Sequence, residues 1–340
     1  MKIDFILTWV DGSDPNWQRE KRKYDGSSGD SRIMRYRDWD NLRYWFRGVE
    51  SFAPWVNKVY FVTWGHLPCW LNTKHPKLKI IKHADYIPKE YLPTFSSRPI
   101  DMNFQRIKEL SEHFVYFNDD MFLIKKVEKT DFFRKGLPCD TAVMNALCFG
   151  YGESVAKVKT PTVAAYTAPA FDMLPINKNF SKKACIKKNF WKWYSPRYGT
   201  ECIRTALLSP WRAFTGMMNY HLPYSYLKHT YEEVWKAEGE LLDQTCKHRF
   251  RMNTDLNHWV FNYWQIAKGE FEPRSPKIGK SLWLSDNLSK NREVYEIIKN
   301  QKYKMICVND NVQGDNFDVV KSHLNSTFET LFPRKSAFEL

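Results

Sequence analysis

A chain of 340 residues, 43% hydrophobic and 16% aromatic, can bury one large α/β domain or two smaller ones and is too apolar to be disordered over most of its length. Its net charge of +14 is spread along the chain and calls for an anionic partner: nucleic acid, an anionic membrane surface or an anionic substrate. Seven cysteines, an odd count with no C-x-x-C pair, exclude a disulfide framework and a sequence-readable zinc site, and no stretch reaches the ~18 apolar residues of a membrane span.

Lys2–Val10 reads as a buried strand that runs into the turn-rich "DGSDP". Asp4 interrupts the apolar run, which therefore does not read as a signal peptide, and a cytoplasmic protein is expected. The polar "KRKYDGSSGDSR" reads as a mobile loop. From about Asp38 the spacing of Leu42, Trp45, Phe46, Val49 and Phe52 is helical, with Pro54 past its end. "KVYFVT" and "KLKIIKH" are strands, and "SSRPIDMNFQRIKELSEHF" is a helix capped by Ser96 or Ser97 with Pro99 in its first turn. "FVYFN" (Phe114–Asn118) is the next strand.

Apolar strands alternating with helices predict an α/β fold with a mostly parallel, Rossmann-like sheet covered on both faces. Residues 131–220 lack a clear period and read as loops and short elements. Helix returns at Thr230–Asp243 and at Thr254–Gly269, the latter with Thr254 as cap and Gly269 as stop. "YKMICVND" is a strand with a polar end. The implied organisation is a core over 1–130, a loop-rich insertion over 131–220, a helical region with the last core strand over 221–325, and a tail over 326–340 that either frays or docks on a membrane.

Three of these strands end in acids and amides: Asp11-Gly12-Ser13-Asp14, Asn118-Asp119-Asp120 and Asn309-Asp310-Asn311. Ligands of open α/β sheets bind beyond the carboxyl ends of the strands. If the three strands are parallel neighbours, their carboxylates meet on one rim. Adjacent carboxylates repel and are tolerated where a divalent cation neutralises them, and oxygen ligands favour Mg²⁺ or Mn²⁺. A basic protein supplies the remaining cations for an anionic substrate, and a nucleotide-sugar diphosphate suits the combination. Taken singly, an Asp pair at a strand end is also a turn or a cap, and His221 in "NYHLPYS" is also a core histidine.

"IDFILTWVDGSDP" (Ile3–Pro15) closely resembles the first signature of the Stealth family of sugar-phosphate transferases. The second signature is similar to "RYRDWDNLRYWFRGVESFAPWVNKVYFVTWGHLPCWLN", "LPTFSSRPID" and "FVYFNDDMFL". The third resembles stretches within His221–Trp264 and the fourth "ICVNDN" (Ile306–Asn311). The chain departs from the family pattern at Asp101, where Glu is frequent, at Ser96, where Asn is frequent, and at Tyr224, where a histidine sometimes stands. The resemblance implies transfer of a hexose- or N-acetylhexosamine-1-phosphate from a UDP-sugar to a saccharide hydroxyl, with UMP as leaving group, in capsule or exopolysaccharide synthesis.

Within that reading Asp119 and Asp120 hold Mg²⁺ (or Mn²⁺), with Asp310 as a further ligand or partner. Thr8, Trp9, Asp11, Gly12 and Asp14 hold the nucleotide at the first-strand end, with Arg197 and Arg251 on the phosphates. The catalytic set is His221 as general base, Asp120 as its competitor for that role, and Arg204 on the phosphates. The expected partners are a UDP-sugar and a saccharide acceptor carried on a lipid, without nucleic acid. The lysine–aromatic segment Lys178–Trp193 suits peripheral contact with an anionic membrane at its inner face. Two rivals keep the same residues in other work: a metal-dependent glycosyltransferase that releases UDP, and a basic membrane- or nucleic-acid-binding protein.

Overall fold

The computed structural model describes residues 1–24, 26, 36–146 and 161–340, with the backbone alone for 161–169. Most of the loop expected over residues 21–32, Arg35, Cys148 and part of the 131–220 insertion lie outside the described residues.

Strands β1 (Ile3–Thr8), β2 (Val59–Thr63), β3 (Leu78–Lys82) and β4 (His113–Phe117) are short apolar runs, each stopped by polar or turn residues. β1, β2 and β4 are buried along nearly their whole length, as parallel strands covered on both faces must be. Further along the chain come β5 (Met121–Leu123), β6 (Phe133–Arg134), β7 (Leu137–Asp140), β8 (Tyr224–Leu227), β9 (Glu272–Pro273), β10 (Gly279–Ser285) and β11 (Met305–Asn311). The main sheet has the order β3-β2-β1-β4-β8, parallel except for β8. The fold is thus α/β with a mostly parallel Rossmann-like sheet. From β1 the chain passes to β2 on one side and later to β4 on the other, so strand order reverses beside β1, and a crevice opens there at the carboxyl ends.

β11 is not a neighbour of β1 or β4 in that sheet, contrary to the simplest expectation. It pairs in parallel with β10 and antiparallel with β5 in a sheet of its own. Asn118–Asp120 join β4 to β5, and the Val308 amide donates to the Asp120 carbonyl at 2.8 Å. The ends of β4 and β11 are thereby brought together across the seam between two sheets.

The helix Leu42–Phe52 is buried on most of its circumference through Tyr44, Trp45, Phe46 and Val49. A Cβ on Gly48 would meet the Leu123 carbonyl oxygen at 2.8 Å, so only glycine lets this helix lie against β5. Its Arg47 is also buried, donating to both carboxylate oxygens of Glu339 at 2.8 and 2.9 Å and to the Phe332 carbonyl at 2.7 Å. The end of the chain, following the helix Phe317–Leu331, therefore packs on the protein itself, with Phe338 buried.

Three sequence expectations are corrected. The helix expected after Ser96 ends at Met102, because the Asn103 side chain donates to the Pro99 carbonyl at 2.7 Å and closes the turn. The helix expected from Thr254 begins at Trp259: Asp255 is held by Arg98 at 3.2 Å and accepts from the Met252 amide at 2.8 Å, which keeps the chain in a turn. Residues 161–208 are mainly helical rather than loops, as Pro161–Asn179, Lys182–Lys188, Phe190–Trp193 and Glu201–Leu208. The described cysteines are all free thiols, and no helix among the described residues is long and apolar enough to cross a membrane.

Candidate active site

At the end of β1, Asp14 caps the helix Pro15–Arg22, accepting from the Asn16 and Trp17 amides at 2.8 Å. Asp11 accepts from the amide and hydroxyl of Ser13 at 2.8 and 2.6 Å. The Asp11 amide donates to His66 Nε2 at 2.7 Å, and His66 Nδ1 lies 3.8 Å from Asp14. Burial pushes the His66 pKa down against the pull of Asp11 and Asp14, in keeping with a neutral ring that accepts at Nε2. A Cβ at Gly12 would lie 2.1 Å from the Tyr36 carbonyl oxygen, so this position admits no side chain. Trp9 faces inward, stacked on Phe61 at 5.8 Å and edge-on to His66 at 5.1 Å; it shapes the floor but offers no face to a base.

Across the crevice stands the Asn118–Asp120 turn. Asp119 is exposed to solvent as a residue, while its carboxyl is crowded by the surrounding protein. That crowding, then Asp120 and then Asp38, push its carboxyl up to about 7. Asp38 is raised as well, mainly by burial, with Asp40 and Asp11 adding to the effect. Asp38 thus links the two ends electrostatically, within reach of Asp11 on one side and of Asp119, beside Asp120, on the other.

Asp310, at the end of β11, has its charge already met and is bonded to Arg37 and Trp39, the residues flanking Asp38. One oxygen accepts from the Val312 amide at 2.9 Å and the other lies 3.0 Å from Arg37 Nη2. Burial still raises its pKa.

His221 precedes β8 and faces Asp120, Nε2 to Oδ2 at 3.8 Å. Its backbone takes φ +48°, a conformation that costs a residue with a side chain about 1–3 kcal/mol. The Asn219 side chain holds it there, accepting from the His221 amide at 2.7 Å. His221 Nδ1 and Asp120 Oδ1 are both buried with no hydrogen-bond partner among the described residues. Such atoms await a ligand or a proton.

Cys307 completes a trio with Asp120 and His221 whose donor atoms lie within 4.8 Å of one another. Burial, then Asp120 and Asp119, hold the metal-free thiol well above its usual pKa. The carboxylate oxygens of the rim fit a hard cation such as Mg²⁺ or Mn²⁺, while the imidazole and thiol are donors a softer ion would also use.

Beneath the rim, the buried Tyr116 hydroxyl lies 2.8 Å from Asp101 Oδ1 and 3.5 Å from Thr8 Oγ1, and it donates to the Asn118 side chain. Burial outweighs Tyr116, Arg251 and Arg98 and raises Asp101 to about 8. Tyr116 donates toward both Asp101 and Asn118, which share its single hydroxyl proton. Arg251 donates to Ser97 Oγ at 2.8 Å and acts on both Asp101 and His258, which places it on the β4–β8 side of the crevice.

The other two arginines are not brought to the carboxylates. Arg204 is exposed, bonded to Asn145 at 2.9 Å and near Glu201, and among the described residues its link to the site is its influence on Tyr220 beside His221. Arg197 lines a groove with Met1, Lys129 and Lys135, at the opposite end of β1 from Asp11. Two rim residues escaped the sequence reading. Asp38 looked like part of a helix entry, and His66 directly follows β2, whose end shares the rim; strand order alone would have pointed to it.

An imidazole turned on a carboxylate with an idle buried oxygen, at the switch point of a parallel sheet, defines an α/β enzyme with its chemistry on the carboxyl rim. The models of Stealth protein conserved regions 1, 2 and 4 match residues 1–29, 35–139 and 296–340. The capsular polysaccharide phosphotransferase WcwK of Streptococcus pneumoniae is 40% identical, over 99% of this chain and 98% of its own. The receptor polysaccharide phosphotransferase WefC of Streptococcus oralis is 40% identical, over 100% of this chain and 99% of its own. A crystal structure of an active-site mutant of LgtC superposes with a TM-score of 0.37 at 8% identity, covering 95% of each chain. The chain belongs to the Stealth family of sugar-phosphate transferases.

Proposed function

We propose that this enzyme moves a hexose- or N-acetylhexosamine-1-phosphate from a UDP-sugar to a hydroxyl of a growing saccharide carried on a lipid, in the assembly of a capsular or exopolysaccharide. The product is a phosphodiester and the leaving group is UMP. The observation that carries the reading is the meeting of Asp11, Asp38, Asp119 and Asp120 on one rim, with His221 3.8 Å from Asp120. Relatives named as capsular and receptor polysaccharide phosphotransferases support the polymer context.

In this reading the acceptor oxygen attacks the β-phosphorus in line with the departing UMP oxygen; the new P–O bond forms as the old one breaks. His221 takes the acceptor proton on an imidazole nitrogen, and Asp120 stabilises the imidazolium. The turn at Asp11–Asp14 seats the nucleoside, and Arg251 draws the phosphates toward the β4–β8 side. Asp119 and Asp120 would hold Mg²⁺ or Mn²⁺, with Asp38 and Asp310 as neighbours. When bound, that cation neutralises the diphosphate and the charge growing on UMP.

Incubating the purified chain with a panel of UDP-sugars, Mg²⁺ and a soluble acceptor, and identifying the nucleotide released, tests the reading. UMP is expected. UDP would mean glycosyl transfer, and binding without turnover a basic binding protein.

A further inference from the structure

The helical segment between Lys178 and Phe214 carries nine Lys and Arg residues against a single acid, Glu201. The segment also exposes large apolar side chains. On the helix Glu201–Leu208, Ile203 is 60% exposed and Leu207 69% exposed; Trp211, 58% exposed, continues the four-residue spacing. That spacing sets Ile203 and Leu207 on one face. The opposite side of this helix is anchored, since Thr205 is buried and accepts from the Met144 amide at 3.1 Å. The buried Lys182 donates to the Leu208 carbonyl at 2.9 Å, tying in the helix Lys182–Lys188, whose Lys183, Lys187 and Lys188 are exposed. Trp191, directly beyond it, is 80% exposed.

We infer that this segment is a docking surface for an anionic lipid bilayer, with Ile203, Leu207 and Trp211 entering the interface and the lysines facing the headgroups. Charge complementarity chooses the occupant. A soluble anion would use the lysines but gain nothing from the apolar stripe. A second copy would meet the stripe but bring the same surplus of positive charge against it. An anionic membrane uses both, and tryptophan suits its interface. The short run from Trp211 to His221 would then hold the imidazole near the plane where a lipid-carried acceptor arrives. In that respect the inference rests on the function proposed above.

The test mixes the full chain with phosphatidylcholine vesicles, with and without phosphatidylglycerol, and reads the sedimented fraction at low and high salt. Binding is expected to need phosphatidylglycerol and to weaken with salt. The variant Ile203→Ser/Leu207→Ser/Trp211→Ser should partition at least about tenfold more weakly while keeping wild-type turnover on a water-soluble acceptor. A second variant, Lys183→Gln/Lys187→Gln/Lys188→Gln, should lose most of its preference for phosphatidylglycerol. The inference is overturned if the wild type stays in the supernatant, if the apolar variant binds as the wild type does, or if light scattering shows the stripe joining two copies. Nucleotide release with the soluble acceptor reports on the phosphotransfer reading separately.

Discussion

The carboxyl of Asp119 sits at about 7 before any cation arrives, which fixes how divalent binding must respond to pH. A cation needs the carboxylate, so proton and metal compete for one site. With a pKa of about 7, roughly a tenth of the molecules present the carboxylate at pH 6 and roughly nine-tenths at pH 8. Apparent affinity for Mn²⁺ should therefore rise about tenfold over that interval, and about half a proton should leave per cation bound at pH 7. Titration calorimetry with Mn²⁺ in two buffers of different protonation heat measures both quantities. Asp119→Asn should bind weakly and lose the slope. Equal affinity at pH 6 and pH 8, or an unchanged slope in Asp119→Asn, would refute the assignment. The sign for stability is the reverse of the usual carboxylate case. The metal-free fold holds this proton more tightly than the unfolded chain, so this group's contribution falls as pH rises from about 4 toward 7, and a bound cation offsets the loss.

Replacing His221 by Ala should lower turnover by ~10²–10⁴-fold and leave UDP-sugar affinity near wild type, as read by steady-state kinetics beside nucleotide titration; near-normal turnover would pass the base role to Asp120. Arg47→Ala strands the buried carboxylate of Glu339 and should cost about 3–5 kcal/mol, a melting point about 4–7 °C lower by calorimetry, with the Asp119-dependent cation affinity retained in the folded fraction.

The parts of the molecule that could be read from sequence are those where one local signal decides the outcome. β1, β2 and β4 are apolar runs closed by turn residues, and Gly269 ends its helix in the left-handed conformation expected of a stop. The three acidic strand ends carried the rim, because carboxylates crowded at strand ends need a common reason. The failures come where a side chain overrules periodicity from outside the window. Asp255 answers to Arg98 rather than starting a helix at Thr254, and Asn103 closes a helix whose apolar pattern continues. The placement of β11 beside β5 follows from pairing across the seam, which no pattern within "MICVNDN" encodes. Arg197 and Arg204 stand out by residue type, and type does not say where a side chain reaches: Arg197 lies at the far end of β1, and Arg204 is bonded to Asn145 instead.

Arg47 and Glu339 stand 292 positions apart, and that separation bears on how the polypeptide matures. On the ribosome, the guanidinium is made 282 residues before Glu329 and 292 before Glu339, its two carboxylate partners. Until Glu329, Phe332 and Glu339 emerge, the helix Leu42–Phe52 must either leave Arg47 in water or bury it without these partners, so that helix cannot settle fully before they are made. A product that stops before Glu329 would carry every rim carboxylate but leave the helix Leu42–Phe52 loosely seated, a natural target for chaperones and proteases.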